Sequence, residues 1–230
     1  MPTEARDLRP GAAVSRDARF WDRTARKYAR SKIADPEGYE RSLARCRHYL
    51  RATDRLFEFG CGTGTTALRL APHVAELVAT DISAEMIAIA RERAAAEGCA
   101  NATFQAADPA AMDGPDAAFD AVAGFNVLHL VTDRAAVLRN LHRILKPGGH
   151  FISKTVCLGD AGWPARLAFR ALIPAMQLAG KAPSVAFLDG GQLEREIAAA
   201  GFEIVARERH GSKGRDMRPF LVARKPAATA

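Results

Sequence analysis

The stretch that most constrains this chain is Leu56–Leu68, LFEFGCGTGTTAL. Leu56, Phe57 and Phe59 form a short apolar run interrupted by one carboxylate, Glu58, which is the pattern of a strand buried on both faces. The run ends in Gly60, Gly62 and Gly64 and passes into the helix-compatible TTALRLA. Strand, glycine-rich turn and helix in that order bring bare backbone N–H groups to a ligand at a helix N-terminus. The spacing then narrows the ligand. A dinucleotide turn would read G-x-G-x-x-G with its third glycine at position 65, but here that position is Thr65 and the glycine arrives at Gly64. A Walker loop would close on Gly-Lys-Ser/Thr, which is absent. Glu58, just before the turn, repels a pyrophosphate and suits an ammonium or sulfonium group. The ligand implied is nucleoside-like, cationic and free of phosphate.

Around this turn the chain alternates. Two helical stretches between Phe20 and Leu50, broken at Asp35–Gly38, precede the first strand and are expected to cap the ligand side. The pattern continues as strand 55–59, helix 64–71, strand 76–80, helix 83–97, strand 102–106, strand 119–125, helix 133–145 stopped by Pro147-Gly148-Gly149, and strand 150–156. Such alternation predicts a parallel sheet with helices on both faces. The end of the chain departs from it. Gly191–Gly201 reads as a helix, followed by the strands FEIVARER and Arg218–Lys225, linked through Gly211–Gly214 with no helix between them. Those two strands are expected to be antiparallel neighbours. Between strand and helix lies Gly162–Gly180, where Arg166, Arg170 and Gln177 share one stripe and nearly everything else is apolar. Pro174 predicts a kink or break there, and the segment is too interrupted and charged to span a bilayer.

These ordered pieces resemble the class I S-adenosylmethionine-dependent methyltransferases, and most closely the broad subgroup of small-molecule and ubiquinone/menaquinone C-methyltransferases. Glu58–Gly64 looks like that family's first motif, E/D-x-G-x-G-x-G; Leu77–Ser83, Ala102–Met112, Phe119–Val131 and Leu145–Thr155 resemble its following strands and turns. The resemblance spans about residues 55–155 and implies an α/β fold: a Rossmann-like, doubly wound, mostly parallel seven-stranded sheet with a C-terminal antiparallel hairpin and helices on both faces. It implies S-adenosyl-L-methionine as cofactor, held by Glu58, Gly60, Cys61, Gly62 and Gly64, by Asp81 with Ile82 at the ribose, by Asp108 with Ala107 at the adenine, and by Asn126 beside the methyl group. Each has a plainer role open to it: Asp81 beside the cap of helix 83–97, Asp108 as a turn aspartate with Asp113 and Asp116 as rivals, Asn126 as a strand-end cap. His129 is the candidate proton acceptor, or else a histidine hydrogen-bonded at the start of a helix. Tyr28 and Trp163 are candidates for the substrate pocket, or else core aromatics. Residues 158–190 stand where this family often carries a substrate lid.

No repeat or low-complexity linker divides the chain, so residues 1–230 are expected to form a single domain: capping helices 15–50, cofactor-binding core 55–155, lid 158–190, and C-terminal helix and hairpin 191–225. The four cysteines (Cys46, Cys61, Cys99, Cys157) are scattered without C-x-x-C or zinc spacing, which fits reduced thiols in a cytoplasmic protein and no metal. Residues 1–17 mix both charges and lack the apolar core of a signal peptide. The net charge of +7 comes from arginines spread along helices with no aromatic-rich RNA motif, so no nucleic acid partner is expected, while peripheral contact with an anionic membrane stays open. The expected function is direct in-line methyl transfer to a small organic acceptor, needing no metal and needing a base only where the acceptor must lose a proton. The rival readings are a membrane-associated acceptor (a phospholipid head group or a quinone precursor), a non-catalytic S-adenosylmethionine-binding module, and a nucleic-acid methyltransferase. The last lacks an appended binding domain and the Asn-Pro-Pro-aromatic motif. The sequence leaves open the acceptor, whether N, O, C or S is methylated, and the oligomeric state.

Overall fold

A computed structural model of the chain describes residues 15–111, 114–212 and 216–227. Asp113, and part of the Gly211–Gly214 link, lie outside the described residues. Seven strands form one sheet: β1 (Arg55–Phe59), β2 (Glu76–Asp81), β3 (Ala102–Ala106), β4 (Phe119–Phe125), β5 (Leu145–Lys154), β6 (Glu203–Glu208) and β7 (Phe220–Arg224), in the order β3-β2-β1-β4-β5-β7-β6. The first five are parallel, and β7 runs antiparallel to both β5 and β6. The doubly wound sheet with its terminal hairpin is the architecture that the alternation and the final two helix-free strands predict.

The helices are α1 (Arg16–Ala29), α2 (Pro36–His48), α3 (Thr65–Leu70), α4 (Ala84–Ala96), α5 (Arg134–Ile144), α6 (Trp163–Leu178) and α7 (Gly190–Ala199). Five of them begin at a side chain that accepts a hydrogen bond from their first turn: Ser15, Asp35, Ser83, Asp133 and Asp189. Period-two patterning on the strands sorts the core into two layers. Leu56 of β1 and Ile152 of β5 pack with Leu43 (α2), Leu68 (α3) and Ile87 and Ala90 (α4) on one face. Phe57, Phe59 and Phe151 pack with Val137 and Leu141 (α5) and Leu193 and Ile197 (α7) on the other. The strand order reverses between β1 and β4, so their carboxyl ends diverge and leave a crevice, the place where open α/β sheets bind ligands.

Two local expectations are corrected. Helix 133–145 ends at Ile144, and β5 already begins at Leu145, because the register against β4 shifts between the pairs Phe119–Leu145 and Ala121–His150 and takes Pro147-Gly148-Gly149 into the strand's irregular start. α6 continues unbroken through Pro174. The proline deletes one bond, to the carbonyl of Arg170, on a helix with no buried residue, where water can satisfy the freed acceptor.

Gly64 shows how tightly α3 and α4 sit on the sheet. It starts α3 with φ +77°, and a Cβ there would lie 3.0 Å from Ala90 Cβ and 3.1 Å from Phe104 Cε1. Gly64→Ala should therefore destabilise the chain by about 1–3 kcal/mol in urea denaturation, from left-handed strain plus overpacking. Unchanged stability would show that this contact is slack.

Candidate active site

Two cavities, of about 310 and 270 Å³, open at the carboxyl ends of β1 and β4. Tyr28, Gly60, Gly62, Phe125 and Asn126 line both. The first continues past Trp21, Asp81, Ile82, Met86 and Asp108, and the second past Tyr39, Ser42, Glu58, Cys61, Thr63 and Lys154. Together they make one bent crevice with the glycine turn at its elbow.

The turn is built for close approach. Gly60 (φ +63°) has no room for a Cβ, which would fall 2.3 Å from Val127 Cγ2. Gly62 (φ +54°) is different: among the described residues the only atom within 4 Å of its missing Cβ is Tyr28 Cε1 at 3.8 Å, so its backbone stays open to the crevice. Asp81, at the end of β2, holds the turn in place by accepting from Gly62 N and from Ser83 N, each at 2.9 Å. Both of its oxygens keep lone pairs for a further donor. Burial pushes its pKa up, against those two backbone bonds. Arg93 of α4 fastens the same turn from behind. Its guanidinium donates to Thr63 Oγ1 and Thr65 Oγ1, both at 2.9 Å, and to the Ala29 carbonyl at the end of α1 at 2.8 Å.

Glu58 is the anomaly of the site. It is 1% exposed, and among the described residues its Oε2 has no hydrogen-bond partner. Burial, and then the nearby charge of Asp81, push its pKa up to about 8. A buried carboxylate left without a partner is costly, and a cation or N–H donor brought into the second cavity would remove that cost. The residues present therefore fit a cationic adenosyl ligand: an orphaned acid, an open glycine cradle, and an aspartate with acceptor capacity beside it.

The remaining candidates separate. Cys61 and Ile82 line the cavities. Asp108 is exposed at the first one, with its carboxylate accepting from Ala110 N at 2.8 Å. Asn126 sits at the elbow with φ +53°, a conformation rare outside glycine, and its N–H donates to the Lys154 carbonyl at 2.6 Å. Gly64 and Ala107 line neither cavity: Gly64 packs against α4, and Ala107 is buried with its N–H on the Asp81 carbonyl. His129 also lines neither. Its Nδ1 lies 2.9 Å from Thr155 Oγ1, and burial lowers its pKa to about 4, so it is a neutral imidazole at neutral pH. Trp163 is 74% exposed on α6, and no α6 residue reaches either cavity. The 158–190 segment instead docks on the start of α1, through Arg16 to the Gln177 carbonyl and Ser184 N to Asp17 Oδ1. Trp21, Met86, Ser42 and Lys154 were not singled out from the sequence. Only Trp21 carries a readable signal there, seven residues before Tyr28 and on the same helical face.

Residues 56–149 match a family model described as a methyltransferase domain. The matched stretch runs from β1 into the start of β5. Over 113 residues (48% of this chain, 40% of the relative) it is 38% identical to the 27-O-demethylrifamycin SV methyltransferase of Amycolatopsis mediterranei. Over 116 residues (48% and 45%) it is 35% identical to the ubiquinone/menaquinone biosynthesis C-methyltransferase of Coxiella burnetii. The chain thus spans less than half the length of these curated relatives. Its fold superposes on phosphoethanolamine N-methyltransferase 2 of Haemonchus contortus, solved with phosphomonomethylethanolamine and S-adenosylhomocysteine, with TM-score 0.72 and 18% identity over 94% of this chain and 61% of that one. That match speaks to fold alone.

Since Arg93 connects α4, the glycine turn and α1 of this domain, Arg93→Ala should cost about 1.5–3 kcal/mol of stability in urea denaturation, the worth of hydrogen bonds from a charged donor. A loss below about 0.5 kcal/mol would show the clamp to be incidental.

Proposed function

We propose that this chain binds S-adenosylmethionine in the bent crevice and transfers its methyl group to a small organic acceptor. The observation that carries the reading is Glu58, a buried carboxylate lacking a partner beside an open glycine backbone. Asp81 would hold the ribose hydroxyls, Asp108 would face the adenine end of the first cavity, and Glu58 would neutralise the positive amino-acid end in the second. When bound, the cofactor supplies an electrophilic methyl group on a sulfonium. What the chain contributes is placement and exclusion of water: the glycine turn fixes one reactant, and Tyr28, Phe125 and Asn126 at the elbow bound the space left for the other. No proton transfer is assigned to His129, whose ring is engaged with Thr155 away from both cavities.

A membrane-associated acceptor is the second reading, favoured by α6. Trp163, Leu167, Leu172 and Leu178 are all more than half exposed on a helix that carries Arg166 and Arg170 and no acid. Salt-sensitive co-sedimentation with anionic liposomes supports this acceptor class, and its absence leaves the soluble acceptor.

Calorimetry tests the principal reading. Saturable binding of S-adenosylmethionine or S-adenosylhomocysteine, with none of NAD, is the expected result; the reverse contradicts it. Asp81→Ala should weaken adenosyl-ligand binding by roughly 1–3 kcal/mol, the cost of stranding polar partners.

The raised pKa of Glu58 adds a pH signature. An acid whose pKa is raised on folding contributes stability below its unfolded value, near 4.5, and loses it as pH climbs toward about 8. The ligand-free melting temperature should therefore fall between pH 5 and 8, and Glu58→Gln should flatten that fall and melt higher than the parent at pH 8. Binding of the cationic ligand at pH 7 should release a proton, seen as a buffer-dependent enthalpy, and Glu58→Gln should abolish the release. Equal enthalpies in buffers of different ionisation heat would refute this electrostatic account.

A further inference from the structure

Lys154 is the last residue of β5 and is 7% exposed, yet it lines the second cavity. Its Nζ donates to Ser42 Oγ at 2.8 Å and lies 3.5 Å from the Gly38 carbonyl. Among the described residues no carboxylate comes within the 4.0 Å of an ion pair with it. A buried ammonium outside any ion pair is retained at a cost in stability, which a structural role linking β5 to α2 does not require. The neighbouring charges are accounted for. Arg218 lines the same cavity but pairs with Asp216 at 3.3 Å. Asp35 accepts from Gly38 N and Ser212 N at the start of α2. His210 bonds Ser42 Oγ through Nδ1 and Glu208 through Nε2, and Glu208 also holds Arg45. Ser42, so anchored, keeps Lys154 Nζ in place at the cavity wall. Lys32 also lines this cavity.

We propose that Lys154 receives an anionic group of the methyl acceptor, a carboxylate or phenolate, in the second cavity. The inference rests on the methyltransferase reading and names its substrate class. The same crevice then has two buried ionisable groups of opposite type, Glu58 and Lys154, neither held in an ion pair among the described residues. To serve the two ends of one amino acid, both side chains would have to converge from separate strands. β4 lies between β1 and β5, so the two backbones stand about 10 Å apart across the sheet, while an ammonium and a carboxylate on one carbon are neighbours. Glu58 takes the cofactor's cation, and Lys154 the acceptor's anion on the β5 side. Held there, the acceptor sits against Asn126 and Phe125 at the elbow, where the two cavities join.

The test uses the full chain saturated with S-adenosylhomocysteine and titrated with benzoate, 4-nitrophenolate and the neutral benzamide. At least one anion should bind ten times more tightly than benzamide, and the tighter of the two identifies carboxylate or phenolate as the group received. Lys154→Met should erase that preference and Lys154→Arg should keep most of it, with S-adenosylhomocysteine affinity within twofold of the parent in both. Should the Met variant fail to fold, the parent's anion preference and its retention in the Arg variant decide the matter. Benzamide binding as tightly as the anions, no binding of either anion, or an unchanged preference in Lys154→Met overturns the proposal. A tenfold loss of S-adenosylhomocysteine affinity in Lys154→Met also overturns it, by placing the lysine on the cofactor. A parent that binds no S-adenosylhomocysteine refutes the methyltransferase reading itself.

Discussion

The carboxylate of Asp81 is the tie on which this site depends. By accepting from Gly62 N and Ser83 N it joins the loop after β1 to the loop after β2, and so sets the distance between the glycine turn and the start of α4. Ser83 passes the connection on: its hydroxyl donates to Asp22 of α1 at 2.7 Å and accepts from Met86 N at 3.1 Å. Arg93, one turn from the end of α4, returns to Thr63, Thr65 and Ala29. Three elements distant in sequence are thereby fixed around one turn, which keeps the open face of Gly62 directed at the crevice. Preorganisation of this kind lowers the ordering cost of binding.

The same crevice concentrates unfavourable electrostatics. Among the described residues Glu58, near the end of β1, has one oxygen unpartnered, Asp81 beside it has a raised pKa, and Lys154 on β5 makes no ion pair. A core of Leu56, Phe57 and Phe59 would be more stable with a hydrophobic residue at position 58. Buried ionisable groups with perturbed pKa values and no ion-pair partner cluster at ligand sites. Asn126 carries the matching backbone sign, a positive φ on a non-glycine residue at the elbow.

Much of the fold was legible in the sequence because its signals are local. The strand–turn–helix of Leu56–Leu68, the cap of helix 83–97, and the two final strands without a helix between them are each decided by a few neighbouring residues. The site was legible only in part. Glu58, Gly62 and Asp81 declare themselves by motif spacing, whereas Lys154 becomes noticeable only when β5, α2 and the Arg218 loop are brought together in space. The resemblance implies Gly64 at the ligand because a glycine motif does not reveal which glycine serves packing and which serves approach; the contacts with Ala90 and Phe104 do. Trp163 and the α6 segment misled for a different reason. Apolar composition marks a surface in need of a partner, and gives no direction in which that surface points.

The most direct measurement is a crystal structure of the chain with S-adenosylhomocysteine. The account predicts the nucleoside in the first cavity, with its ribose on Asp81 and its adenine toward Asp108, and the amino-acid end passing Gly62 to place its ammonium against Glu58. A ligand bound in the opposite sense, or with Glu58 still unpartnered, would contradict it.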